Sequence, residues 1–147
     1  MHDISRPRMF IDADVLIAGA ASPNENSASL VLLRMAEISL VEALTSQKVI
    51  RESERNLTNK IPKALPAFQL LVQKSLKVVQ DPTEEELQFH LGKADPKDLP
   101  ILVAASRENC AYLATFNTRH YQPGLPNVQV LKPGDLVLRV RHQLASL

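Results

Sequence analysis

Apolar and polar positions fall into short blocks whose period changes along the chain. Met9 to Ile17 is apolar except for Asp12 and Asp14, and predicts a strand buried on both faces. A polar turn, Ser22 to Asn26, precedes a predicted helix over Ser27 to Glu37. There Leu30, Leu33, Arg34 and Ile38 recur at helical spacing, and Ser27 or Asn26 can cap. Ser39 to Thr45 predicts a short strand. A helix follows over Gln47 to Asn59, with Val49, Ile50, Ser53 and Leu57 on one face, and Pro62 ends it. Pro66 to Ser75 predicts a helix and Leu76 to Val79 a strand. Pro82 to Gly92 predicts another helix, opened by Thr83 with Glu86 three later, the capping-box pattern. Asp95-Pro96-Lys97-Asp98 opens a helix to Asn109. Ala111 to Phe116 and Val128 to Leu131 predict strands, and Pro133 to Leu144 a last helix.

Five strands alternating with helices imply βαβ crossovers and a mostly parallel sheet flanked by helices, an α/β fold. The open doubly wound form fits, because a closed barrel needs more chain. The 147 residues suit one domain over 1–147, with no repeat, low-complexity tract or linker to divide it. In such sheets ligands bind beyond the carboxyl ends of the strands, where the strand order reverses.

Composition narrows the class only modestly. Apolar residues at 45 % and charged residues at 22 % are ordinary for a globular domain, and the net charge of +1 neither favours nor excludes nucleic acid. No apolar stretch reaches membrane-spanning length, and Met1 to Arg8 lacks the apolar core of a signal peptide. The one cysteine, Cys110, sits among apolar residues and reads as a small buried hydrophobe. Together these features predict a cytoplasmic protein with no membrane partner. Aromatics at 4 % and the lack of Trp argue against base-stacking platforms.

Candidate chemistry comes from acids near the ends of elements. On a regular strand Asp12 and Asp14, two apart, share one face. A buried ionised carboxylate is costly unless compensated, and a metal ion is one compensation. The alternative ends the strand near Asp12 and leaves both acids wet. Asp98 lies in the first turn of its helix, where capping is the competing role, and Asn117 follows the fourth strand, where a turn is. Glu52 and Glu54 flank opposite borders of the apolar face of their helix, and periodicity does not choose between them. His120 lies beside the predicted mouth. Arg51, Arg55, Lys60 and Lys63 cluster on one helix and its end, as a solvated face or as a means of steering RNA.

The ordered set of motifs resembles the PIN-domain ribonucleases, the fold of many bacterial toxin nucleases. Phe10-Ile11-Asp12-Ala13-Asp14-Val15-Leu16 is similar to the family's apolar-Asp-Thr-Asn-Val-Leu block, with Asp14 where Asn is usual. Leu44 to Glu52 resembles the second block, a serine-led helix start, and its register selects Glu52 over Glu54. Asp95 to Ala105 resembles the third and assigns Asp98. Tyr112 to Asn117 resembles the fourth, with Asn117 where Asp is common. The resemblance implies a metal-dependent endoribonuclease with Asp12, Glu52, Asp98 and Asn117 as catalytic residues. It implies Mg2+ or Mn2+ held by Asp12, Asp98, Glu52 and Asp14, which oxygen ligands suit. It further implies an RNA substrate, a homodimer, and the role of toxin with an antitoxin protein as partner. Two other readings remain: a non-catalytic binding module on the same fold, motivated by Asn117, and a haloacid-dehalogenase-type phosphatase. The latter would use Asp12 as nucleophile and Asp14 as acid/base. Against it stand Leu16, where Thr or Val is usual, and the lack of a paired-acid motif in the C-terminal half.

Overall fold

Strand β1 (Arg8–Ile11) occupies the centre of the sheet, and its Met9, Phe10 and Ile11 are fully buried. That is what a parallel strand covered on both faces requires. The computed structural model describes residues 6–22 and 24–146. Met1 to Ser5 of the polar start and Pro23 of the predicted turn lie outside the described residues.

Around β1 lie β2 (Glu42–Ser46), β3 (Leu76–Val79), β4 (Tyr112–Ala114) and β5 (Gln129–Leu131), in the order β3-β2-β1-β4-β5. Every neighbouring pair is parallel. Five strands and an α/β architecture are as the sequence predicts, and the sheet is parallel throughout.

Helices α1 (Ala13–Ala21), α2 (Ala28–Glu37), α3 (Gln47–Lys60) and α4 (Leu65–Ser75) pack against one another. The short α5 (Glu84–Gln88) and then α6 (Leu99–Arg107) join β3 to β4, and α7 (Pro133–Ala145) ends the chain against α2. The chain moves outward from β1 through β2 to β3, then returns to β4 on the other side of β1. A right-handed crossover in that reversed direction lays α6 on the opposite face of the sheet. Six of the nine residues of α6 are buried there. The strand order thus reverses between β1 and β4, and this is where a ligand crevice is expected.

The first element differs from the sequence expectation. The apolar run from Met9 to Ile17 is not one strand: β1 stops at Ile11, Asp12 is extended, and α1 begins at Ala13. Asp12 and Asp14 therefore do not share a strand face. Asp12 is the N-cap and Asp14 the second helical residue. An apolar run buried all round has no amphipathic period, so strand and helix look alike in it. The capping chemistry decides: the Asp12 carboxylate accepts the Ala13 N–H at 2.7 Å, and a second acid in the first turn suits the helix dipole. Gly19 lets α1 approach α2 closely, since a Cβ there would stand 2.8 Å from Leu33 Cδ1.

Two further helices are shorter than predicted. α5 retains the full capping box at Thr83 and Glu86 but ends at Gln88. α6 begins at Leu99, after Asp98.

Candidate active site

Each predicted site residue except Glu52 lies close to the start or end of an element whose place the sheet fixes. Asp12 leaves the end of β1, and its N–H donates to the Ala114 carbonyl of β4 at 3.0 Å. Thr115 leaves β4 and is bonded likewise to Leu131 of β5. Ser46 ends β2 and caps α3, which carries Glu52 in its second turn. Asp12, Asp14, Glu52, Asp98 and Asn117 all line one cavity of about 590 Å³ at this end of the sheet. His120 lines it too, and Glu54 does not.

Asp12 is only 7 % exposed, at the floor. Its Oδ1 takes the Ala13 N–H, and its Oδ2 accepts from the Thr115 hydroxyl at 2.9 Å and the Tyr121 hydroxyl at 2.7 Å. Burial pushes the Asp12 carboxyl above the usual range, against those three hydrogen bonds, and Glu52 pushes the same way. Burial and then the Asp12 charge push Asp14 up from 3.8 to about 6. Asp14 Oδ2 accepts from the Phe116 N–H at 2.9 Å and the Asn117 amide at 3.1 Å. The Thr115 hydroxyl lies 3.3 Å from the same oxygen, so its one proton can serve either acid.

Asp98 does not cap α6 with its side chain. The Asp95 carbonyl accepts the Asp98 and Leu99 N–H groups instead, which leaves the Asp98 carboxylate for the cavity. Burial first, and then Asp12, push it upward, while His120 and Lys97 pull it down. His120 Nδ1 stands 3.2 Å from Asp98 Oδ2, and the Asp95 N–H donates to the His120 carbonyl. Glu52 is held by Lys48 at 2.9 Å, one helical turn back.

The residues fit a divalent cation. Among the described residues Asp14 Oδ1 is buried without a hydrogen-bond partner, and the neighbouring carboxyls resist ionising together. Ligand atoms of Asp95, Asp98 and His120 all lie within 4.8 Å of one another. Carboxylate oxygens suit Mg2+ or Mn2+.

Sequence reasoning missed Tyr121 and gave Thr115 no role. Tyr121 is buried on a 3-10 turn, Thr118–Tyr121, and burial together with the surrounding acids raises its hydroxyl above the ordinary value. It remains a donor to Asp12. No local pattern marks it, since the contact spans 109 positions. His120, readable as a routine loop residue, is instead against Asp98. The basic cluster divides: Arg55 and Lys60 line the cavity, whereas Arg51 pairs with Asp81 at 2.8 Å. Asp12 is buried with both oxygens engaged, which does not suit the exposed nucleophile that the phosphatase reading needs.

Comparison with known proteins agrees with this fold. The crystal structure of VapBC2 from Rickettsia felis, bound to a DNA fragment from its promoter, superposes with a TM-score of 0.63 at 14 % identity. It covers 85 % of this chain and 98 % of that one. PAE2754 from Pyrobaculum aerophilum superposes with a TM-score of 0.66 at 16 % identity, covering 92 % and 96 %. No curated protein matches the chain. A family model of the PIN domain matches residues 8–119, which span β1 to the turn after β4 and every carboxylate of the cavity, and the chain belongs to the PIN-domain family.

Proposed function

We propose that the protein is a metal-dependent endoribonuclease that hydrolyses RNA phosphodiester bonds and acts as the toxin of a toxin–antitoxin pair. The observation that carries this reading is the convergence of Asp12, Asp14, Glu52 and Asp98 on one cavity at the reversal of strand order. PIN domains are generally nucleases, and the VapBC2 assembly supports an antitoxin partner.

A bound Mg2+ or Mn2+ would supply charge at the phosphate and lower the pKa of water. Asp12, Asp14 and Asp98, which line the cavity, would hold it, and Asp95 and His120 offer further ligand atoms beside Asp98. Tyr121 and Thr115 keep Asp12 in one orientation by donating to its Oδ2. Asn117 contributes a neutral amide, which donates to Asp14 and limits the negative charge of the set. Glu52, braced by Lys48, faces the same space and would accept a proton or bind through water.

Cleavage of RNA in Mg2+ or Mn2+, stopped by a chelator, with no turnover of phosphatase substrates, tests the assignment. Metal binding without cleavage would favour the non-catalytic module instead. Glu52→Gln is expected to lower cleavage roughly tenfold or more, while Glu54→Gln, outside the cavity, leaves it near wild type. Equal losses would remove Glu52 from the site.

We also propose self-association. Ile38 after α2 and Leu70 on α4 are 67 % and 49 % exposed, and α2 packs beside α4, which supports an interface on this side. Light scattering should return about twice the chain mass, and the chain mass itself at high micromolar concentration would count against the dimer. The location is proposed as cytoplasmic. No described helix is long and apolar enough to cross a membrane.

A further inference from the structure

Helix α3 carries two stripes of opposite character. Val49, Ser53 and Leu57 are fully buried and face the core. Glu52, Arg55, Asn56, Asn59 and Lys60 recur three and four apart on another face, and all five line the cavity. At 1.5 Å per residue this second stripe runs about 12 Å, from the carboxylate cluster to the end of the helix. It begins anionic at Glu52, passes two amides and ends cationic.

Lys97 faces the cavity from the segment before α6. Among the described residues Arg55, Lys60 and Lys97 form no ion pair. Arg51 and Lys48, on the same helix as Arg55 and Lys60, are committed to Asp81 and Glu52. Nothing in the packing of α3 needs Arg55 or Lys60, both exposed, yet both stand at the wall of a concave site.

Resting on the nuclease reading, we infer that this stripe is the track for a single-stranded RNA. The phosphate to be cut lies at the Glu52 end. Arg55 and Lys60 take the phosphates that follow along the strand, and Lys97 clamps from the opposite wall. Asn56 and Asn59, each with an amide donor and acceptor, read the ribose 2′-hydroxyls between them. A concave site of about 590 Å³ admits splayed nucleotides of one strand, whereas a duplex carries a second strand that has to stay outside.

Fluorescence anisotropy with a short labelled unstructured RNA, in chelator so that nothing is cut, tests this. Wild type should bind the single strand more tightly than the same sequence as a duplex. The Arg55→Ala/Lys60→Ala variant should bind roughly ten- to a hundredfold more weakly at low salt, and its log–log salt slope should fall by about 1.4, or 0.7 for each lost phosphate contact. Lys63→Ala, a basic residue outside the cavity, should leave affinity and slope unchanged. Asn56→Ala/Asn59→Ala should erase the preference for RNA over DNA of the same sequence. An unchanged slope in Arg55→Ala/Lys60→Ala, with wild-type RNA binding intact, overturns the track and leaves the nuclease reading standing. Equal or tighter duplex binding also overturns it. A wild-type protein that titrates with Mn2+ but neither binds nor cuts RNA overturns the nuclease reading itself.

Discussion

Asp12→Asn is expected to abolish RNA cleavage, by roughly a hundredfold or more, while raising the melting temperature of the metal-free protein at pH 7. The two effects have one origin. Asp12 is buried at the floor of the cavity, and burial holds its carboxyl above the ordinary range despite three hydrogen bonds. An acid whose folded pKa is raised destabilises the native state once pH exceeds its unfolded value, because the native state then has to lose a proton it retains more tightly. Asn has no charge to bury and keeps one oxygen to cap α1, and its amide donates to the Thr115 and Tyr121 hydroxyls, which then accept. The gain in melting temperature should be present at neutral pH and vanish below about pH 4, where Asp12 is protonated in both states. Asp98→Asn should likewise remove activity. Tyr121→Phe should lose less, about ten- to a hundredfold, because it deletes one donor that orients Asp12 and leaves the carboxylate itself. Cleavage rates and melting curves in chelator check all three. Wild-type cleavage by folded Asp12→Asn would refute the site, and equal losses from Tyr121→Phe and Asp12→Asn would make Tyr121 more than a positioning residue.

The strand–helix alternation was legible because it is written locally, in period and in caps. Leu76 to Val79 is a strand at the predicted residues, and Ser27, Ser46 and Thr83 cap helices through their side chains. The β1–α1 junction was not legible, since a run buried on both faces has no period to tell strand from helix. The correction moves Asp12 and Asp14 off a shared strand face, yet both reach the cavity, one from the N-cap and one from the first turn of α1. For Glu52, helical periodicity leaves two acids equivalent; the register of the family block selects it, and α3, packed against β2 and α1, brings Glu52 and not Glu54 to the cavity. Asp98 looked like a cap because Asp95, Pro96 and Asp98 are what a capped start contains. The structure assigns that task to a carbonyl, which periodicity cannot reveal. Tyr121 and Thr115 act on Asp12 across more than 100 positions, by contacts that exist only once β4 lies beside β1.

Without metal, the protein is expected to lose stability as pH rises from about 4 to 6, and Mg2+ or Mn2+ should restore it. Asp14 titrates at about 6 in the folded protein against 3.8 ordinarily, and Asp12 and Asp98 are displaced in the same direction. Between those values the native state binds more protons than the unfolded chain, so unfolding becomes easier as pH climbs through the window. A divalent cation favours the ionised carboxylates, so its binding tightens with pH and opposes that loss. At a hundred times Kd it adds roughly 2.7 kcal/mol, or about 5–10 °C in melting temperature for a chain of this size. The rise should be larger at pH 7 than at pH 5. Asn117→Asp sharpens the test, because it replaces the amide that donates to Asp14 with another carboxylate. That variant should melt lower than wild type in chelator and gain more from Mn2+. Scanning calorimetry at both pH values, with and without Mn2+, measures all of these. A flat pH profile in chelator would show that the acids are compensated within the protein. A melting temperature indifferent to Mn2+ in both proteins would remove the metal site, and with it the charge that the carboxylates of the cavity are arranged to hold.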